Sequence, residues 1–492
     1  MTIAHRVLPG FHCPPASSVR APFHKIFLLV LFLLAGVMGA AEPGWPQFRG
    51  PQGLGVAGGG APPASFGPSS NVWWAVEIPA GNSSPCVWGD KIFLTARDKT
   101  RLETLCLDRR DGKILWRQAA PETKFEQAHR LNTPATPTPV TDGRSVFVYF
   151  GSFGLIAYDF SGREQWQRPL PAPVVEFGSG ASPILAEDKL ILICDQDDGS
   201  HLLAVDKESG KTVWKVERPE FRRSFATPLI WRHDGAEELI VPGSIWLKSY
   251  NLKDGSERWT FSGTSRVACS SPAAGDGLLF SASWNIGGDE GARITMPPFE
   301  EFARDNDKNK DDKLTPSEIP NGPVRERFSQ MDVNKDGFVS AAEWEGMRDM
   351  FAKAGNAVLA IRPGGQGNIT ATHLAWKVTR SLPYVSSPLF YQGRLYTVKN
   401  GGLMSCYDAK TGRPFYQEER LDAPGDYYSS AVAAGGMIYL ASEKGVVLVL
   451  AAGENLKVLA RNDLREQIMA TPAIVDGKLY VRTAGHLYAF GN

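Results

Sequence analysis

The sequence predicts an all-β fold, an eight-bladed β-propeller of four-stranded blades with a small α-helical insertion in blade five. Three observations predict it. A turn-and-aromatic unit recurs at intervals of roughly 40–50 residues, the signature of a propeller or solenoid. A small polar residue followed by Pro or Ala opens each repeat. The two chain ends complement each other, one lacking a strand that the other has to spare.

In the recurring unit an apolar strand end leads into a tight polar turn, and an aromatic follows on the next strand. Asp206, Gly210 and Trp214 form one copy. Asp108, Gly112 and Trp116 form another, as do Asp159, Gly162 and Trp166, then Asn251, Gly255 and Trp259, then Asp408, Gly412 and Tyr416. Asp or Asn hydrogen-bonds its own backbone and starts the turn. Gly takes a positive φ that other residues resist. The aromatic fills a large apolar slot, and a Trp N–H seeks a partner there. The anchoring aromatics Trp74, Trp116, Trp166, Trp214, Trp259, Trp376 and Tyr416 are evenly spaced but for one interval. Between Trp259 and Trp376, one period plus an insertion of about 70 residues fits.

The blade openings are Ser84-Pro85, Thr136-Pro137, Ser182-Pro183, Thr227-Pro228, Ser271-Pro272, Ser387-Pro388, Ser430-Ala431 and Thr471-Pro472. Most lead through an Asp/Gly turn into an alternating apolar strand. Eight openings predict eight blades. The sequence ends on a third-strand pattern at Phe490, while Trp74 lies on a strand without a blade of its own. The N-terminal strand is therefore expected to complete the last blade, which removes the exposed edges of an open array.

This repeat resembles the PQQ-repeat family of β-propellers, which includes quinoprotein alcohol dehydrogenases and the outer-membrane assembly factor BamB. The resemblance spans nearly all of the chain after residue 70. It implies fold more than function, because one fold hosts many activities.

Residues 1–41 read as an export signal. Arg20, His24 and Lys25 precede an apolar run over 26–38, and Gly39, Ala40 and Ala41 follow it. The run is too short for a comfortable membrane span. An exported bacterial protein, periplasmic or extracellular, is expected, without a stable membrane span after cleavage. Residues 42–70 read as a linker that opens on Trp45-Pro46-Gln47-Phe48-Arg49-Gly50-Pro51. This heptapeptide resembles the mature N-terminus of exported bacterial PQQ-repeat proteins. Residues 71–492 form the expected propeller and 286–356 the insertion.

Basic and acidic residues balance at 53 each, which makes no electrostatic case for nucleic acid. Cys13 lies in the leader. The remaining five cysteines are scattered, and an odd count argues against a disulfide framework. A monomer is expected.

The insertion carries the sharpest chemistry. Residues 332–343 match the EF-hand calcium loop. Asp332, Asn334, Asp336 and Ser340 place oxygens at positions one, three, five and nine, with Phe338 at position seven. Glu343 stands at position twelve, where it can bind bidentately. Gly337 supplies the sharp turn and Val339 the apolar residue that pairs two such loops. A first loop offers Asp307, Asn309, Asp311, Lys313 through its backbone oxygen, Thr315 and Glu318. Asp312 replaces Gly at its turn, so weaker binding is expected there. The close spacing of the loops allows only brief helices, which favours a static pair over an opening switch.

In a propeller, segments running from an outer strand to the next inner strand rim the central channel. Here they hold His129, Arg130, Arg222, Arg223, Arg266, Tyr384, Tyr427 and Tyr428. Such residues suit an anionic or sugar-like ligand; the plain alternative is a solvated rim whose arginines pair with carboxylates. The expected function is a calcium-braced binding or scaffolding module for a protein or for such a ligand. The family resemblance implies an alternative, a PQQ-dependent dehydrogenase. That family carries adjacent cysteines, a catalytic Asp and a cofactor-bound calcium; no two cysteines here are adjacent. A polysaccharide hydrolase or lyase is a third reading, with no nucleophile–base pair visible for it.

Overall fold

The computed structural model describes residues 44–289, 291, 293–423 and 425–491. The expected export signal lies outside the described residues. Among them, no helix is long and apolar enough to cross a membrane.

The described chain forms eight antiparallel blades. Blade one comprises Cys86–Trp88, Lys91–Asp98, Arg101–Asp108 and Ile114–Ala119. Blade eight comprises Ala473–Val475, Lys478–Arg482 and His486–Phe490, and Val72–Glu77 is its outer strand. Val72 pairs with Phe490 and Glu77 with His486, so the N-terminal strand closes the ring.

The recurring unit is the joint between blades. The Trp74 indole lies on Gly112, where an added Cβ would sit 2.6 Å from the ring, and its Nε1–H donates to Arg109 O at 2.9 Å. Trp116 lies in the same way on Gly162 and donates to Phe160 O, and Trp166 on Gly210, donating to Lys207 O. Trp214 and Trp376 repeat the contact with Leu252 O and Ala409 O. Gly112 is thus required twice over: its φ is +74°, and a side chain would collide with the neighbouring blade's Trp. Trp259 differs. Its Nε1–H donates to buried Glu238 at 2.6 Å, and residues 362–373 replace the short turn it would otherwise meet.

The blade openings form a second joint. Ser84 N–H donates to Thr138 Oγ1, Thr138 N–H to Ser182 Oγ, and Ser182 N–H to Thr227 Oγ1. The sequence continues through Ser271, Ser387, Ser430 and Thr471. Thr471 N–H then donates to Ser84 Oγ at 3.1 Å, which makes the circuit complete. The residue in blade two is Thr138, before Pro139, and not the expected Thr136. The Pro that follows most members holds each in an extended conformation.

Of residues 42–70, expected as a linker, the described residues 44–70 pack as a strap across one end of the channel. Gly44–Trp45 adds a fifth strand to blade one. Pro46 O accepts from Thr141 N–H of blade two. Arg49 is fully buried and donates to Pro272 O, Pro388 O and Leu54 O, tying blade five to blade six. Val56 pairs with Ala433 of blade seven, and Phe66 packs on Phe490 of blade eight at 4.4 Å between centroids. These partners follow the circuit residues in sequence, so the strap lies on the strand side of the circuit. All five cysteines of the described residues are free.

Two substitutions test the joints. Trp74→Ala is expected to cost about 3–5 kcal/mol, as other large core truncations do. Hydrogen exchange in 470–490 should quicken while blades two and three stay protected; uniform acceleration around the ring would contradict seam-specific closure. Thr227→Val leaves Ser182 N–H without an acceptor and is expected to cost about 1–3 kcal/mol in denaturant unfolding.

Candidate functional site

The eight circuit residues line a central cavity of about 390 Å³. On the strand side, Phe48 of the strap forms its floor. On the loop side the walls come from segments preceding the circuit residues, among them His129, Asn132, Phe177, Arg223, Phe225, Arg266 and Tyr384. Each circuit hydroxyl accepts from the neighbouring blade. Among the described residues none of the eight donates to a protein acceptor, so their protons are available to the cavity.

Five of the eight expected rim residues line the cavity: His129, Arg223, Arg266, Tyr384 and Tyr428. Three do not. Arg130 is exposed beyond the lining. Tyr427 is buried and donates to Ala423 O at 2.6 Å, four residues back along its own loop. Arg222 turns outward and donates to Gln330 O of the insertion at 2.9 Å. The repeat pattern places all three on the right loops but carries no information on side-chain direction.

Among the described residues the lining holds no carboxylate. Its two arginines differ. Arg223 is neutralised by a fork to Asp197 at 2.6 and 2.8 Å and by Glu176 at 2.9 Å. This is the carboxylate pairing that the plain reading of the rim anticipates. Arg266 forms no ion pair among the described residues. Its Nη1 donates to Gln330 Oε1 at 3.1 Å, its guanidinium lies over Phe351 at 5.6 Å, and its buried Nε has no acceptor. Burial, with Arg327 and Arg223 nearby, pulls its pKa down to about 10. Asn285 adds a buried Oδ1 without a donor. His129 Nδ1 faces a backbone N–H, that of Leu131, at 3.4 Å.

Three contributors fall outside the repeats, Asn285 at the base of the insertion among them. Phe48 comes from the strap. Gln330 comes from the insertion, which leaves blade five after Ser283 and returns at Ala357, paired residues of adjacent strands. Helices Phe299–Asn306, Phe328–Met331 and Ala341–Lys353 pack around Trp344, Met347 and Phe351. The two acidic loops pair back to back, Leu314 against Val339. Their hydrogen bonds match at position twelve and share the sixth-position N–H at position one. Asp307 accepts from the N–H groups of Lys310 and Asp312, and Asp332 from those of Asp336 and Gly337. Glu318 accepts from Lys308 and Thr315, and Glu343 from Val333 and Ser340. Asn309 and Asn334 each donate to the Asp two residues on. Backbone hydrogen bonds from Thr315 hold Glu318 below its ordinary pKa. Burial opposes the same effect at Glu343, where the bonds from Ser340 and Val333 prevail. Asp312 takes a φ of +58°, the conformation Gly337 adopts at +87° without a side chain. Among the described residues, no three His, Cys, Asp or Glu side chains converge as a metal-ready group; the loop carboxylates face backbone N–H groups.

Comparison with known proteins gives the following. A family model described as "Outer membrane protein assembly factor BamB" matches residues 101–267. The chain is 28% identical over 155 residues to an outer membrane protein assembly factor BamB from Alkalilimnicola ehrlichii. That match covers 31% of this chain and 37% of the relative's length. The structure of BamB from Moraxella catarrhalis superposes with a TM-score of 0.55 at 13% identity, covering 85% of this chain and 98% of that one. A quinohemoprotein alcohol dehydrogenase, ADHIIG from Pseudomonas putida HK5, superposes with a TM-score of 0.51 at 13% identity, covering 92% and 80%. The likenesses agree on an eight-bladed propeller and a PQQ-like repeat.

Behind the cavity wall lies an unusual acid. Glu126 is buried, its Oε2 accepts from Ser179 N–H and Oγ, and its Oε1 has no partner. Burial raises its pKa to about 7, against the pull of the Ser179 bonds. A raised folded pKa contributes stability below the unfolded value of 4.5, and that contribution is lost as pH rises through about 7. Glu126→Gln should therefore flatten the stability profile between pH 5 and pH 8, with its largest gain at the alkaline end. Denaturant midpoints across that range check this; parallel wild-type and variant profiles would contradict it.

Proposed function

We propose that this chain is an exported, calcium-binding propeller that works as a binding or scaffolding module, taking a small anionic or sugar-like ligand in its central cavity, or a protein segment over the mouth. The observation that carries this is the lining itself. All eight blades contribute a hydroxyl, the strap closes the floor, and Arg266 is a cation without a counter-ion. Ligand sites are concave and mostly apolar, with a few placed polar groups. The likeness to BamB favours a protein partner as the scaffolding form of the same reading.

The alternative is a PQQ-dependent dehydrogenase. The fold likeness to a quinohemoprotein supports it at the level of architecture. The residues present fit that cofactor poorly, because among the described residues the lining offers no carboxylate to hold its cation.

Residues 286–356 are proposed as the calcium-binding insertion. Supporting this are two loops with the same donor order, the same backbone hydrogen bonds at position twelve, and mutual pairing through Leu314 and Val339. Binding would redirect the carboxylates of Asp332, Asp336 and Glu343 from backbone N–H groups to the ion. Affinity is expected near 10⁻⁴ M or somewhat tighter, about that of extracellular modules. Glu343→Gln should remove most of the second loop's affinity, read by calorimetry. An unchanged isotherm in that variant would remove the assignment.

A further inference from the structure

Resting on the small-ligand reading above, we propose that the cavity recognises a hydroxylated carboxylic acid of sugar size, a uronic or aldonic acid. Arg266 receives the carboxylate and Asn285 a ligand hydroxyl. The insertion's Gln330 positions the guanidinium.

Four features of the lining select that chemistry together. Arg266 asks for an anion, since its Nε and Nη2 have no acceptor among the described residues and no lining carboxylate competes. A guanidinium offers a carboxylate two parallel hydrogen bonds. Asn285 asks for a donor. It is 8% exposed, and its Oδ1 is buried without a partner. The two residues share one wall, because Ser265 N–H donates to Ser283 Oγ at 3.0 Å. The circuit asks for acceptors, having hydroxyl protons that no group among the described residues takes. Phe48, Phe177 and Phe225 add apolar faces.

Simpler ligands answer part of this set. Phosphate or sulfate satisfies Arg266 but brings few protons for Asn285. A neutral sugar serves Asn285 and the hydroxyls but leaves the guanidinium unmatched. An aryl carboxylate leaves the polar circuit unfilled. A sugar acid carries one carboxylate, several hydroxyls that both donate and accept, and C–H faces for the aromatic rings. A site built to hydrogen-bond a hydroxyl discriminates strongly against analogues lacking it, since its own buried groups then stay unpaired.

Gln330 makes the insertion part of the site. Its side chain holds Arg266, and its backbone oxygen holds Arg222. It stands two residues before Asp332, where the second acidic loop begins.

Calorimetry on the full chain with D-glucuronate, D-glucose, benzoate and inorganic phosphate tests the proposal. Glucuronate should bind about ten- to a hundredfold more tightly than the other three, the span of one charge-assisted recognition. Arg266→Gln should bring glucuronate down to the level of glucose, and Arg266→Lys should keep part of the preference and report on folding. Gln330→Ala, on the insertion, should weaken glucuronate by about tenfold and leave glucose unchanged. Glucose binding as well as glucuronate, with Arg266→Gln silent, would overturn the sugar-acid class while leaving the cavity as a ligand site. Phosphate or benzoate matching glucuronate would do the same in favour of a simple anion. Heat from none of the four would overturn both this proposal and the small-ligand reading beneath it.

Discussion

The circuit of eight hydroxyl acceptors sets the geometry that everything else obeys. A blade's first strand begins at the channel, where its N–H has no sheet partner. A buried N–H left unpaired is costly. Each blade solves this by lending a Ser or Thr oxygen to its neighbour. The arrangement works only if the last blade reaches the first, as Thr471 reaches Ser84. Blade number, blade spacing and the small side chains at the centre are therefore one constraint. The cavity is its by-product, a space walled by groups whose first duty is to hold the ring.

The arginines of this protein show how differently a buried cation can be settled. Arg218 forks onto Asp195 at 2.8 and 2.9 Å, and both are fully buried. Among the described residues Arg49 and Arg482 have no carboxylate; Arg49 rests on backbone oxygens and Arg482 on backbone oxygens and the Ser83 hydroxyl, and burial lowers each to about 9. These three are tied down structurally, each with several protein acceptors. Arg266 has a single amide contact and faces the cavity. That contrast sets three guanidiniums held by the architecture apart from one that the described protein groups hold loosely.

Much of this was legible in the sequence because the joints are chemical. An Asp, a Gly and a Trp at fixed separations describe a turn, a missing side chain and the ring that fills its place. Their recurrence identified the fold, and Trp74 identified the seam. Legibility failed where several residues could serve equally. Blade two offers Thr133, Thr136 and Thr138, each before a Pro, and the choice depends on the register of the channel. It failed again where chain direction hides side-chain direction, as at Arg222 and Tyr427. It failed at residues 42–70, because Gly- and Pro-rich composition also describes a strap whose backbone oxygens are spent on other blades. Gln330 gave no signal, since its role arises from where the insertion settles.

The seam also has a kinetic meaning. Arg482 binds Ser83, 399 residues away in the sequence, and Val72 waits for Phe490. Synthesis runs from the N-terminus, so the outer strand of blade eight is made before every blade and paired last. Contacts of such long sequence separation form slowly, because the intervening chain must be ordered before they repay its entropy. During that interval the strand around Trp74 presents an open edge, and unpaired edges invite association between molecules. A nascent chain that meets a chaperone or a high local concentration at this stage would do so through its first blade strand. Refolding yield should therefore be governed by the strand around Trp74.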